Sequence, residues 1–171
     1  MSGVPKSHRT VSSVEYVDNA ARVYEMTVRL CVRLPKRWAN LVTSRMAGHA
    51  ESLLFHAKAA NSIYVTCPVD AGLRRAHLQQ AFCHAQGLSS LADMVYAMQP
   101  VRTTESGTVK DCIPEATFAE WVRRISAEFE LLKGVMRSDA KRHAEHLKDC
   151  TPDESFAAVQ LSLFDSGDFR Q

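Results

Sequence analysis

The chain lacks several features that would assign a protein to a class at once. No apolar run approaches the roughly 18–20 residues that a membrane-spanning helix needs. The polar first residues, 1–13, have no apolar stretch of the kind found in a secretory signal. The five cysteines are scattered without a C-x-x-C pair, which argues against a disulfide framework or a zinc site. We therefore expect reduced cysteines, a cytoplasmic location and no membrane partner.

Signatures of catalysis are also missing. The sequence has no phosphate-binding loop, no G-x-S-x-G elbow and no dinucleotide fingerprint. No Glu stands three residues before any of the seven histidines, so the di-iron pattern of helical bundles is absent. His49 and His56, like His77 and His84, are two helical turns apart, so each pair could share one face of its helix. The alternatives are a metal site, which such accidental spacing disfavours, and solvated or boundary histidines, which is our interpretation. Cys83 is interpreted as a buried thiol. We predict a non-enzyme with no catalytic residue, metal or cofactor.

Charge is present, and it is unevenly distributed. The 171 residues carry a net charge of +2 and are 46% hydrophobic, which is enough for one domain with a sizeable core. Residues 1–99 hold 11 Lys and Arg against 6 Asp and Glu, whereas residues 149–171 hold 1 against 5. The sequence therefore predicts a basic body with an acidic tail.

Four apolar stripes with alternating three- and four-residue spacing predict four helices. The first helix is expected at Ser13–Leu34 and the second at Ala39–Tyr64. Asp70 is expected to cap the third helix, which ends before Pro100. The fourth is expected to run from Glu115 or Thr117 to about His146. The core stripe predicted for the first helix is Val14, Val17, Ala21, Tyr24, Val28 and Cys31. The stripe predicted for the second helix is Ala39, Val42, Met46, Ala50, Leu53, Ala57, Ala60 and Tyr64. The stripe predicted for the third helix is Leu78, Ala81, Ala85, Leu88, Ala92 and Val95. Residues 99–114 are expected to form a loop, because strand signals are absent throughout the chain.

This pattern predicts an all-α protein, an up-down-up-down four-helix bundle. We expect a flexible N-terminal arm at 1–12, the bundle at 13–148, and a flexible acidic tail at 149–171.

Cations recur at seven-, four- and three-residue spacings along the first helix and just beyond it. Such spacings place them on one side of the helix, where they could follow a phosphate backbone or stack on exposed bases. The alternative is an ordinary solvated outer face. The predicted nucleic-acid-binding residues are Arg22, Arg29, Arg33, Lys36, Arg37, Arg74 and Arg75.

Two short segments carry a resemblance to a known family. One helix ends in Arg33-Leu34-Pro35-Lys36, and a long second helix ends in the Ala60-Asn61 pair. In this order, and within four helices, they resemble the accessory variability determinant (Avd) proteins of diversity-generating retroelements, over about Val14–Arg142. The resemblance implies a basic homopentamer, without catalysis of its own, that binds a reverse transcriptase and its structured template RNA and supports mutagenic cDNA synthesis. The 99–114 loop and the tail depart from the compact family pattern.

The acidic tail contains Gln160-Leu161-Ser162-Leu163-Phe164. This pentapeptide is similar to the motif by which bacterial polymerases and repair proteins dock on the DNA sliding clamp. The resemblance implies that Gln160 anchors by hydrogen bonds while the Leu and Phe side chains fill an apolar pocket. The alternative is that 156–164 forms a short amphipathic helix packed on the bundle.

Two further functions remain open from the sequence. The first is a clamp- or DNA-associated adaptor that has no reverse transcriptase partner. The second is a metal-storage or oxidase bundle, which the missing Glu-x-x-His pattern disfavours.

Overall fold

The structure, a computed structural model, describes residues 14–98, 101–103, 105 and 109–148. This part of the chain is mostly helical, in agreement with the predicted all-α class. The elements are α1 (Glu15–Cys31), a 3₁₀ turn (Lys36–Trp38), a π-helical turn (Ala39–Thr43), α2 (Ser44–Ser62), α3 (Pro68–Met98), β1 (Val101–Thr103), β2 (Val109–Asp111), α4 (Glu115–Arg142) and α5 (Ala144–Lys148). None of the described helices combines the length and the apolar character needed to cross a bilayer. The arm at 1–12 and the tail at 149–171 lie outside the described residues.

The four long helices pack side by side. Both α1 and α3 contact α2 and α4. Tyr16 Oη, near the start of α1, lies 3.5 Å from Asn61 Oδ1 near the end of α2. Cys31 Sγ, at the end of α1, lies 3.6 Å from the carbonyl oxygen of Thr43, just before α2 begins. These two contacts show that α1 and α2 run in opposite directions.

The apolar stripe predicted for the third helix is confirmed, and the stripe predicted for the second helix is confirmed except at its two ends. The buried residues of the second stripe, in the π-helical turn and α2, are Val42, Met46, Ala50, Leu53, Ala57 and Ala60. The buried residues of the third stripe, in α3, are Leu78, Ala81, Ala85, Leu88, Ala92 and Val95. Both stripes are rich in alanine, and small side chains allow two helix backbones to approach closely. The ends of the second predicted stripe are not in the core, since Ala39 is exposed and Tyr64 is 85% exposed.

The core stripe predicted for the first helix is confirmed only in part, because Val17, Tyr24 and Cys31 are partly buried against the core but none of its six residues is fully buried. The residues of α1 that are buried are Tyr16, Asn19, Ala20, Val23, Thr27 and Leu30. Val14 and Val28, which belonged to the predicted stripe, are each 39% exposed. The helix therefore faces the core with a stripe that contains two polar residues. Both have hydrogen-bond partners on α4: Asn19 donates to Glu128, and Thr27 Oγ1 accepts from Trp121 Nε1 at 2.9 Å.

The connection between α1 and α2 is a sequence of tight turns rather than a simple break. Pro35 has extended backbone angles, which ends the helical path as expected. The backbone N–H of Trp38 then donates to the Pro35 carbonyl oxygen at 2.9 Å. Leu34 and Trp38 are buried at 8% and 7% exposure and anchor this connection in the core. The α-helix predicted from Ala39 begins only at Ser44, after the π-helical turn.

The start of α3 differs from the expected cap. Asp70 lies inside the first turn, because the helix begins at Pro68. Its carboxylate accepts hydrogen bonds from the backbone N–H and the hydroxyl of Thr66, at 3.0 and 2.7 Å. These bonds lower the pKa of Asp70. Asp70 thus fixes the chain that enters the helix instead of serving as the N-cap residue.

The 99–114 segment contains strands that its sequence did not indicate. β1 and β2 pair antiparallel, with Val101 opposite Asp111 and Thr103 opposite Val109. Beyond the ribbon, α4 begins at Glu115 as predicted. It ends at Arg142, where His143 leaves the helical path, and α5 follows.

Candidate nucleic-acid interface

The cations predicted on and after the first helix all lie on the surface. Arg22 and Arg29 are exposed on α1 and share one face of it, because they are seven residues apart. Arg33 is exposed in the turn after α1, and Lys36 and Arg37 are exposed in the 3₁₀ turn. Since Leu34 and Trp38 are buried, the segment that bears the last three cations is held against the core. The structure therefore presents exposed cations on one face of α1 and in the anchored turn that follows it, and we call this set the cation row.

One member of this row has an acidic neighbour. Arg29 forms an ion pair with Glu25, one turn earlier, and the two side chains are 74% and 59% exposed. An exposed pair at this spacing contributes only about 0.3–0.5 kcal/mol, so a phosphate can replace the carboxylate at little cost. Arg22, Arg33 and Lys36 form no ion pair with another side chain of the described residues.

The predicted doublet Arg74-Arg75 is divided between the interior and the surface. Arg74 donates from Nε to Asp139 Oδ2 and from Nη1 to the Ala60 carbonyl oxygen, both at 2.5 Å. The side chains of Arg74 and Asp139 are only 13% and 12% exposed. This ion pair joins α3 to α4, so Arg74 is a structural residue and is removed from the set of surface cations.

Arg75 is exposed and lines a cavity of about 250 Å³ between α3 and α4. Arg137 and His143 line the same cavity. The sequence analysis did not group these residues, because Arg75 lies more than 60 positions from the other two and no local pattern connects them. The cavity extends the surface on which Arg75 can meet an anion.

A second basic doublet, Arg123-Arg124 on α4, is partly neutralised by a neighbouring acid. Arg123 and Arg124 both donate to the carboxylate of Glu120, at distances between 2.7 and 2.9 Å. Hydrogen bonds from these two guanidinium groups lower the pKa of Glu120. This part of α4 is therefore a weaker candidate for a phosphate contact than the row on α1.

A carboxylic acid in the core was missed by the sequence analysis. The Glu128 side chain on α4 is fully buried and accepts a hydrogen bond of 2.7 Å from Asn19 Nδ2. Its other oxygen, Oε1, has no hydrogen-bond partner among the described residues. Burial raises the pKa of Glu128 to about 7, and the bond from Asn19 opposes that shift only in part. Because this group is fully buried, its protonation state bears on the stability of the fold.

The four histidines that were predicted as solvated or boundary residues lie together between α2 and α3. Nδ1 of His49 is 3.2 Å from Nδ1 of His84, and Nδ1 of His56 is 2.9 Å from Nδ1 of His77. His56 and His77 are buried, so their interpretation as boundary residues is wrong. Cys83, predicted to be buried, is exposed. Within the described ranges, no three or more His, Cys, Asp or Glu side chains are grouped so as to hold a metal ion.

The clamp-like segment Gln160–Phe164 lies outside the described residues. It therefore remains a prediction from sequence.

Comparison of the chain with models of protein families, with curated proteins and with solved structures found no match. The class that the structure itself defines is a mostly helical protein with an exposed row of cations.

Proposed function

We propose that this chain is a non-catalytic accessory subunit of a diversity-generating retroelement, which binds the reverse transcriptase and its structured template RNA and so supports mutagenic cDNA synthesis. The observation that carries the proposal is the row of exposed cations on α1 and in the turn after it. The resemblance of Val14–Arg142 to the Avd family supports it and supplies the identity of the partners.

The proposal includes an architecture. The neighbour contacts of the four long helices and the opposite directions of α1 and α2 support an up-down-up-down four-helix bundle. By resemblance to the Avd family the bundle assembles as a homopentamer. In such a ring every cation row is repeated by symmetry, so one long RNA meets several rows at once.

The mechanism is electrostatic placement of RNA. Cations that neutralise phosphates release bound counterions, and the affinity falls as salt rises, with a logarithmic slope of roughly −0.7 for each phosphate on a single strand. The triple variant Arg29→Glu, Arg33→Glu and Lys36→Glu should therefore weaken binding of the retroelement's template RNA and flatten the salt slope by about 2. Fluorescence anisotropy of labelled RNA over a series of salt concentrations measures both quantities.

The matched control changes three exposed lysines elsewhere, Lys58→Glu, Lys110→Glu and Lys141→Glu, and gives the same change in net charge. The control should bind RNA with a salt slope close to that of the original protein. Equal losses in both variants would show that total charge, and not the α1 row, governs binding. Unchanged binding of RNA and of the reverse transcriptase by the α1 variant would remove this surface from the proposal.

The tail is proposed to tether the assembly to replicating DNA through the sliding clamp. The support is the pentapeptide Gln160-Leu161-Ser162-Leu163-Phe164. In the full chain, Leu163→Ala combined with Phe164→Ala should abolish binding to the clamp and leave the helical circular-dichroism signal unchanged. Retained clamp binding would refute the assignment of this segment.

The same pentapeptide favours one alternative function, an adaptor that binds the clamp or DNA without a reverse transcriptase. Purification of the tagged protein from its host at low salt separates the two functions. A reverse transcriptase and one dominant structured RNA in the purified material would support the retroelement role. The clamp alone would support the adaptor.

A further inference from the structure

The four histidines form a continuous row between α2 and α3, which we call the histidine ladder: His49 and His56 on α2, His77 and His84 on α3. The two histidines on each helix are seven positions apart and therefore share one face of it. The contacts between the rings show that these two faces meet. His49 pairs with His84, and His56 pairs with His77. His56 and His84 are stacked, with ring centroids 5.5 Å apart and planes inclined by 11°, and they join the two pairs.

Gly87 of α3 leaves room for the His49 ring, which lies at one end of the ladder. A Cβ atom on Gly87 of α3 would lie 2.5 Å from Cε1 of His49 and 2.7 Å from its Nδ1. Only glycine at this position allows the His49 ring to lie where it does. The His49–His84 pair is therefore held by the helix backbone on one side and by the stacked His56 on the other.

Three of the four imidazoles of the ladder are shifted towards the neutral form. Burial lowers the pKa of His77 and of His84, and burial together with His77 and His84 lowers the pKa of His56 to about 4. A neutral imidazole has a lone pair on one ring nitrogen, which is the form that binds a metal. One proton between the two Nδ1 atoms of a pair joins them as donor and acceptor.

The two pairs differ in how well they fit an ion. Two nitrogens bound to one tetrahedral zinc ion at about 2.0–2.1 Å lie about 3.3–3.4 Å apart. The 3.2 Å separation of His49 and His84 is close to that value, whereas the 2.9 Å of His56 and His77 is shorter. His49 and His84 are half-buried, so water can complete the coordination of an ion there. His56 and His77 are only 4% and 8% exposed, which leaves no such access.

We propose that Nδ1 of His49 and Nδ1 of His84 chelate one divalent late-transition-metal ion of the zinc type, with water as the remaining ligands. Two protein ligands are consistent with the finding that the described residues contain no group of three. On binding, the ring that carries its proton on Nδ1 moves that proton to Nε2, so no proton leaves the pair. His56 stacks on His84 and is a positioning residue. The proposal is independent of the RNA-binding role.

Zinc titration of the full-length protein by isothermal calorimetry tests the site. We expect one ion per chain with saturable affinity, and His49→Ala or His84→Ala should each weaken it roughly tenfold or more. Two matched controls should bind zinc as the original protein does: His143→Asn, outside the ladder, and Cys83→Ser, which removes the exposed thiol beside His84.

Gly87→Ala provides a variant that retains all four imidazoles. Its methyl group occupies the space of the His49 ring, so zinc binding should weaken even though no ligand is removed. Circular dichroism of each variant verifies the helical fold, and the spectrum of the Co²⁺-loaded protein should show no thiolate charge-transfer band.

Three results would overturn the proposal. The first is the absence of saturable zinc binding by the original protein. The second is unchanged affinity in both single-histidine variants, which would assign the ladder to packing through hydrogen-bonded imidazoles. The third is a loss of binding in Cys83→Ser together with a thiolate band, which would assign the ion to cysteine.

Discussion

Replacing Glu128 by Gln should change how the stability of this protein depends on pH. The Glu128 carboxyl is fully buried, and its folded-state pKa is about 7, against an ordinary value of 4.5. A carboxyl with a raised pKa holds its proton in the folded state after the unfolded chain has released it. Stability is therefore highest below the unfolded pKa and is lost as the pH rises through the folded pKa near 7.

The size of the effect follows from the shift. At about 1.4 kcal/mol for each pKa unit, the ionised Glu128 destabilises the folded state by about 3 kcal/mol at pH 8. Most of that loss, about 2–3 kcal/mol, develops between pH 5 and pH 8. Gln has no charge to bury, and its side-chain oxygen can still accept the hydrogen bond from Asn19.

Urea unfolding at several pH values measures the prediction. The free energy of unfolding of the original protein should fall by about 2–3 kcal/mol more than that of Glu128→Gln between pH 5 and pH 8. Titration of the histidines affects both proteins and cancels in the difference. Glu130→Gln is the matched control, because Glu130 is exposed and its pKa is lowered by Lys133, below this pH window. Parallel curves for the original protein and Glu128→Gln would refute the reasoning.

Two further predictions concern stability. Asp139→Asn breaks the buried ion pair that joins α3 to α4 and should lower the free energy of unfolding by about 3 kcal/mol. Glu25→Gln in the exposed pair on α1 should lower it by less than about 0.5 kcal/mol. Equal losses in the two variants would contradict this prediction. Gly87→Ala should destabilise the folded protein by about 1–3 kcal/mol, because its methyl group meets the His49 ring. Gly48→Ala should stabilise it by up to about 1 kcal/mol, because the new carbon lies in open space and alanine favours the helix. Thermal or urea unfolding measures each value, and a stabilising Gly87→Ala would show that the ring has room to move.

The sequence predicted the buried faces of α2 and α3 but not that of α1, and the difference has a physical reason. Along α2 and α3 the core positions are mostly apolar, so hydrophobic periodicity alone identifies them. Along α1 two stripes compete, and the one that is buried contains Asn19 and Thr27. These polar residues are tolerated because Glu128 and Trp121 on α4 satisfy them, and a partner more than 90 positions away leaves no local trace in the sequence.

A similar limit applies to the candidate sites. Exposure of the cations on α1 could be inferred, since charged side chains without a partner are almost never buried and their spacing places them on one face. The interior role of Arg74 could not, because it depends on Asp139 of another helix. The histidine pairs were visible within each helix as two-turn spacings, but the distance between His49 and His84 depends on the register of α2 against α3. Such registers arise from packing and not from any single segment.

The π-helical turn at Ala39–Thr43 makes the length of this segment matter more than its composition. Each residue of an α-helix adds about 100° of rotation. Deleting one residue here would therefore rotate the preceding 3₁₀ turn by about 100° around the axis of α2, relative to the face that bears Met46. Trp38 would leave the core, and the neighbouring cations would point elsewhere. Ala39, Asn40 and Leu41 are themselves exposed and tolerate exchange. Evolution should therefore vary the identity of these three residues freely while preserving their number.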